Sequence, residues 1–163
     1  MSIGIIDVGI GNIGSLRGAL YSQGWDTQTV TTADEMADIS HLFLPGVGSF
    51  ANAMQRLQAA ELIEPIRQHA AMGRPIMGIC LGMQLLADRG VEGGPSEGLG
   101  LIPGHVAPLD ISRDLRVPHV GWNILHPQQQ HILLKGIRPD VDFYFVHSYF
   151  YNAQFESYIL LIT

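Results

Sequence analysis

The 163 residues contain one cysteine, and its surroundings are those of a nucleophile. Cys80 follows a short apolar run, Pro75 to Ile79, long enough for a buried strand. Leu81, Leu85 and Leu86 come next at helical spacing. Gly78 stands two residues before the thiol and Gly82 two after. This G-x-C-x-G pattern is the thiol form of a nucleophile elbow, a sharp strand-to-helix turn. The flanking residues must be small, because a side chain there would strike the neighbouring strand or helix. At the first turn of a helix, free backbone N–H groups favour negative charge and can bind a developing oxyanion. The plainer alternative is a buried structural cysteine between two chance glycines. The turn and the solitary thiol favour the nucleophile, placed at a strand tip with strained backbone and at most partial exposure.

The elements that must position this thiol can be read in order. Ile3 to Ile6 is a first strand ending at Asp7, followed by a glycine turn and a helix through Leu16, Ala19 and Leu20 that stops near Gly24. Asp26 to Thr32 alternates and suits a second strand, and Thr32 to Ser40 holds a short helix at most. His41 to Leu44 is a third strand closed by Pro45-Gly46-Val47-Gly48. Ser49 is placed to cap a helix carrying Met54 and Leu57, and a further helix starts near Pro65 and ends at Gly73. Alternating strands and helices predict an α/β fold with a parallel sheet covered on both faces. From Asp88 the texture changes. Gly90 to Gly100 reads as a surface loop, followed by strand-like segments at Leu101-Ile102, His105 to Leu109, Leu115 to Val120, Asp142 to Phe150 and Tyr158 to Ile162. These segments are expected to extend the same sheet.

Length and composition allow one domain with a proper core. A net charge of -6 without a Lys/Arg cluster argues against a nucleic-acid partner. The longest nearly apolar run, Pro75 to Ala87, is too short to span a membrane. The single cysteine suits a reducing, cytoplasmic compartment. Gly9-x-Gly11-x-x-Gly14, with Asp34 about 20 residues on, formally matches a dinucleotide fingerprint. Asp34 falls in the short helix and not at the tip of the second strand, so a tight strand-to-helix turn is the better reading. No cofactor or metal is expected.

The elbow continues as Gly78-Ile79-Cys80-Leu81-Gly82-Met83-Gln84 and resembles the nucleophile motif of class I (triad) glutamine amidotransferases. Five further segments follow in matching order across the chain: Ile6 to Asn12, Leu44 to Phe50, Gly98 to Gly104, Val117 to Asn123 and Tyr144 to Tyr149. Together they resemble the glutaminase subunits of imidazole glycerol phosphate synthase. The resemblance implies a three-layer, flavodoxin-like α/β domain. It also implies hydrolysis of L-glutamine to glutamate and ammonia through a Cys80 thioester. The ammonia would pass to a (β/α)8 synthase subunit, in a heterodimer making imidazole glycerol phosphate and AICAR for histidine biosynthesis.

Carried over residue by residue, the backbone N–H of Leu81 supplies one oxyanion donor. Val47 supplies the second after its peptide reorients, which the flanking Gly46 and Gly48 make sterically cheap. Gln84, four residues after Cys80, faces the same pocket and contacts substrate. Glu92 is placed to meet the substrate α-ammonium. His147, Ser148 and Tyr149 line the other wall, chiefly through backbone groups. Trp122, Asn123 and Tyr144 correspond to the surface that meets the barrel, and an amphipathic Trp is a typical interface anchor.

The sequence departs from the family pattern at Val8, where Tyr is usual, and at Gly14. A larger departure concerns the base. The family draws it from a His-x-Glu, and none of the seven histidines stands in such a context. The expectation is therefore a single domain over 1–163, truncated at the C-terminus and inactive by itself, unless His119 or His147 substitutes. The alternatives are an inactive homologue that only binds a partner, or an amidotransferase of surface-sugar biosynthesis. Gln84 and the Pro-Gly-Val-Gly loop oppose a further alternative, a cysteine peptidase of similar architecture.

Overall fold

Four short strands carry the nucleophile. The computed structural model describes residues 1–110, 116–138 and 141–162. Strands β1 (Ile3–Ile6), β2 (Thr27–Val30), β3 (His41–Gly46) and β4 (Ile76–Cys80) form an all-parallel sheet in the order β2-β1-β3-β4. All four residues of β1 are buried, which is why the strand reads as a continuous apolar run. Helix α1 (Ile13–Ser22) links β1 to β2, while α2 (Phe50–Ala59) and α3 (Ile63–Ala71) link β3 to β4. The chain moves outward from β1 in opposite directions. Right-handed crossovers therefore set α1 on one face of the sheet and α2 and α3 on the other. Ligands of open parallel sheets bind beyond the C-terminal strand ends where this reversal occurs. The loops after β1 and β3 and the elbow after β4 all emerge there.

The core packs Phe50, Leu57 and Ile66 of the helices, with Leu62 between α2 and α3, together with Ile6, Leu42 and Leu44 of the sheet. All three longer helices close in the same way. After each, the N–H of the third residue past the helix returns to a carbonyl in the last turn: Trp25 to Leu20, Leu62 to Leu57 and Arg74 to His69. That geometry needs a left-handed residue between, and Gly24, Glu61 and Gly73 take it with φ of 82°, 57° and 71°.

The second half does not extend this sheet as the sequence suggested. Strands β5 (Arg89–Gly90), β6 (Ser96–Glu97), β7 (Gly104–Pro108) and β11 (Tyr149–Ala153) form a second sheet in the order β11-β7-β5-β6. Strand β8 (His119–Ile124) pairs antiparallel with β10 (Asp142–His147), and β9 (His126–Pro127) with β12 (Leu161–Ile162). The expected strand from Asp142 to Phe150 breaks at Ser148 and feeds two different sheets. Of the expected strand from Tyr158 to Ile162, only β12 remains, after a 3-10 turn over Glu156–Tyr158. Leu101 and Ile102 form no strand, and both donate their N–H groups to the Leu86 carbonyl. Leu115, the expected start of β8, lies outside the described residues.

The glycine-rich stretch is no open loop either. Gly90, Gly98 and Leu99 are buried. A Cβ on Gly90 would come within 2.6 Å of the Phe50 ring, and one on Gly98 within 3.1 Å of it. At Gly90 glycine is thus required by a buried ring far away in sequence, and at Gly98 chiefly by the Ala87 carbonyl. Arg67 pins the segment, donating through Nε to the Leu99 carbonyl at 3.0 Å and through Nη2 to Gly98 at 3.2 Å. Among the described residues no helix is long and apolar enough to cross a membrane.

Candidate active site

Cys80 is the last residue of β4 and the N-cap of α4 (Leu81–Gln84), a helix of a single turn. Its φ of 54° and ψ of -119° are strained for a residue with a side chain. The two glycines of the elbow lie at the closest contacts. A Cβ on Gly78 would meet Met83 Cα at 2.5 Å, and one on Gly82 would be driven into the Leu44 carbonyl. So G-x-C-x-G here is a packing requirement between β3, β4 and α4. The thiol is exposed, contrary to the expected partial exposure. The reason is topological: among the described residues β4 is the edge of its sheet, and no further strand covers its outer side.

The loop after β3 lies beside it. Gly46 is buried and pairs in register with Cys80, and a Cβ on it would sit 3.0 Å from the Gly82 nitrogen. Gly48 has a φ of 100°, a conformation open to glycine. Between them Val47 is 59% exposed, and its N–H donates to the Ile10 carbonyl at 2.5 Å. In this state it donates back into the protein. The loop after β1 that supplies Ile10 is itself held. Gly9 N–H bonds the Asp7 carboxylate at 3.0 Å, Arg56 Nη1 bonds the Val8 carbonyl at 3.2 Å, and Asn12 caps α1 through the Ser15 N–H at 3.1 Å. The Gly9-x-Gly11-x-x-Gly14 turn is accounted for by these contacts. Leu81 follows the thiol with its side chain buried, and its N–H is the first of α4.

Gln84 is buried, 8% exposed, and donates through Nε2 to the Tyr149 carbonyl at 3.2 Å. It thereby joins the elbow to the wall formed by His147, Ser148 and Tyr149. The Tyr149 carbonyl also accepts from His147 Nδ1 at 2.9 Å, and the Ser148 carbonyl accepts from the Leu109 N–H at 2.9 Å. Glu92 is half-buried and accepts the Phe50 N–H at the start of α2. Burial raises its pKa, an effect the Phe50 bond partly offsets. Glu92 therefore caps α2, a task the sequence suggested for Ser49, whose side chain makes no capping bond.

Trp122 and Tyr144 face each other across β8 and β10 with ring centroids 5.4 Å apart, 67% and 55% exposed. Val120 and Val146 extend this apolar face. Asn123 is not part of it. Adjacent strand residues point to opposite faces, and its amide bonds His119 Nε2 at 3.0 Å. His119 and His147 bond each other, and among the described residues no histidine is bonded to the Cys80 thiol. The Ile10 carbonyl and the His119–His147 contact had no sequence signal. One is a backbone group, and the other joins strands distant in the chain.

Known proteins place this geometry in a family. The model of class-I glutamine amidotransferases matches residues 4–163. The imidazole glycerol phosphate synthase subunit HisH of Desulfitobacterium hafniense is 44% identical over 158 residues, covering 97% of this chain and 74% of that protein. HisH of Symbiobacterium thermophilum is 43% identical, with 98% and 74% covered, and HisH of Caldanaerobacter subterraneus 41%, with 99% and 78% covered. Among solved structures, a glutamine amidotransferase superposes with a TM-score of 0.74 at 17% identity, covering 99% of this chain and 79% of that one. PurLQS from Thermotoga maritima gives 0.70 at 19%, covering 98% and 73%. At such identities these two speak for the fold alone. The elbow, the fold and the HisH relatives together make this chain a member of the class-I glutamine amidotransferases, in the family of the HisH subunits.

Proposed function

We propose that this protein is the glutaminase subunit of imidazole glycerol phosphate synthase. Cys80 Sγ attacks the carboxamide carbon of L-glutamine, the C–N bond breaks, and the protonated nitrogen leaves as ammonia. Water then attacks the thioester, releasing glutamate and restoring the thiol. Ammonia passes to a (β/α)8 subunit, which uses it to form imidazole glycerol phosphate and AICAR in histidine biosynthesis. The observation that carries this reading is the strained Cys80 held between Gly78 and Gly82 beside the Gly46-Val47-Gly48 loop.

In this reading Leu81 N–H is one oxyanion donor and Val47 N–H the other. The bond from Val47 to Ile10 supports an idle state in which the second donor is turned away. Completing the hole requires that peptide to rotate, and one such donor is worth on the order of a hundredfold or more in rate. Binding of the barrel and its nucleotide supplies the rotation. Gln84, Glu92 and the His147–Tyr149 wall bind glutamine, and Trp122 and Tyr144 anchor the barrel.

A second element of the proposal concerns the base. His119 and His147 are engaged with each other, with Tyr149 and with Asn123. Among the described residues no histidine is bonded to the Cys80 thiol, so we propose that residues 1–163 by themselves release glutamate slowly, since loss of a triad's base removes several orders of magnitude in rate. The test measures glutamate release by the complete gene product with its barrel subunit and acceptor nucleotide. Cys80→Ala should abolish glutamine-dependent turnover and leave ammonium-supported synthesis intact. Equal glutamine-dependent rates in Cys80→Ala and the parent would remove Cys80 from the mechanism. Activity from residues 1–163 equal to that of the complete product would assign the base to a histidine within them.

A further inference from the structure

The polar groups behind Tyr149 form one chain with a defined direction. A carbonyl can only accept, so His147 Nδ1 carries the proton it gives Tyr149 at 2.9 Å. Neutral His147 Nε2 must then accept, from His119 Nδ1 at 2.9 Å. His119 Nε2 in turn accepts from the Asn123 amide at 3.0 Å. Asn123 is itself a donor, so reasoning from that end gives the same order. Both imidazoles are thereby held as Nδ1–H tautomers.

The far end of this chain is the glutamine site. The Ser148 carbonyl bonds Leu109 in the β11–β7 ladder, so by antiparallel alternation the Tyr149 carbonyl points off the free edge of β11. It needs partners there, and His147 and Gln84 fill its two lone pairs. With Gln84 Nε2 spent on Tyr149, Oε1 is left to accept. We propose that His119 and His147 are positioning residues for glutamine binding, which fix the Tyr149 carbonyl and orient the Gln84 amide so that its oxygen receives N–H groups of the substrate. This rests on the glutaminase reading. Without His119, the His147 ring reverts to the Nε2–H form that free imidazole favours. A lone pair then faces the Tyr149 carbonyl, and Gln84 loses its fixed partner.

The test has two arms, both on the complete gene product. Histidine-15N NMR, recorded above the ordinary histidine pKa of about 6.5, should show His119 and His147 as Nδ1–H tautomers. An Nε2–H form at either position overturns the proposal. The second arm compares His119→Phe, which keeps a ring stacked on Phe145 (5.3 Å, 17°), with His119→Asn, which restores a donor but loses the ring. With the barrel subunit and nucleotide present, His119→Phe should raise the glutamine KM about tenfold with kcat within about threefold, the pattern of lost ground-state binding. His119→Asn should recover most of that loss. A merely structural role for the ring gives the opposite ranking and overturns the proposal. So does a parent-like KM in His119→Phe while the parent turns over normally. A parent that releases no glutamate overturns the glutaminase reading, and this inference with it.

Discussion

Substituting Cys80 by glycine should stabilise the fold relative to substitution by alanine, the reverse of the usual ranking. Cys80 holds φ 54° and ψ -119°, a region that glycine enters freely and side-chain residues rarely do. Strain of this kind costs about 1–3 kcal/mol. Glycine's extra freedom in the unfolded chain takes back about 0.5–1 kcal/mol. The thiol is exposed, so removing it forfeits little burial. The difference leaves Cys80→Gly more stable than Cys80→Ala by about 1 kcal/mol, or about 2–4 °C in Tm for a domain of this size. Both variants should lack glutaminase turnover, so the comparison isolates the backbone from the chemistry. Urea unfolding read by far-UV circular dichroism gives the two midpoints. If Cys80→Ala is as stable as Cys80→Gly or more so, the elbow is not strained and the argument for a held nucleophile loses its energetic basis.

Glu61 occupies the left-handed closing position after α2 that glycine fills after α1 and α3, so Glu61→Gly should gain about 0.5–1 kcal/mol, measured by urea midpoint. An unchanged or lower midpoint refutes this. His69 is 4% exposed, bonds the Pro75 carbonyl through Nε2 at 3.3 Å, and leaves Nδ1 buried without a partner among the described residues. Burial, more than any other cause, lowers its pKa below the ordinary 6.5. The unfolded chain therefore binds its proton first, and stability present above 6.5 should fall as pH drops towards the folded value. His69→Gln should flatten that fall between neutral pH and mild acid, and an identical slope in both proteins would clear His69.

What could be read from the sequence was local. The elbow, the buried β1 and the glycine stops near α1 and α3 each follow from a few neighbouring residues. What could not be read was non-local. Nothing near Gly90 announces that the Phe50 ring fills its side-chain space. Nothing within Asp142 to Phe150 shows that Ser148 hands the chain from β8's partner to β7's. The exposure of Cys80 depends on strand order, which periodicity does not encode. One placement was within reach. Trp122 and Asn123 are consecutive on a strand, and the period of two alone separates their faces.

The rung between Gly46 and Cys80 is the last of the β3–β4 ladder. It turns the site into a matter of counting. A residue inserted or deleted in either strand ahead of that rung would rotate everything beyond it to the other face. Met77 or Ile79 would then stand in the place of Gly78, against the Met83 backbone that leaves no room even for a methyl group. Letters along His41–Gly46 and Ile76–Cys80 can drift within the limits of packing, but their number cannot.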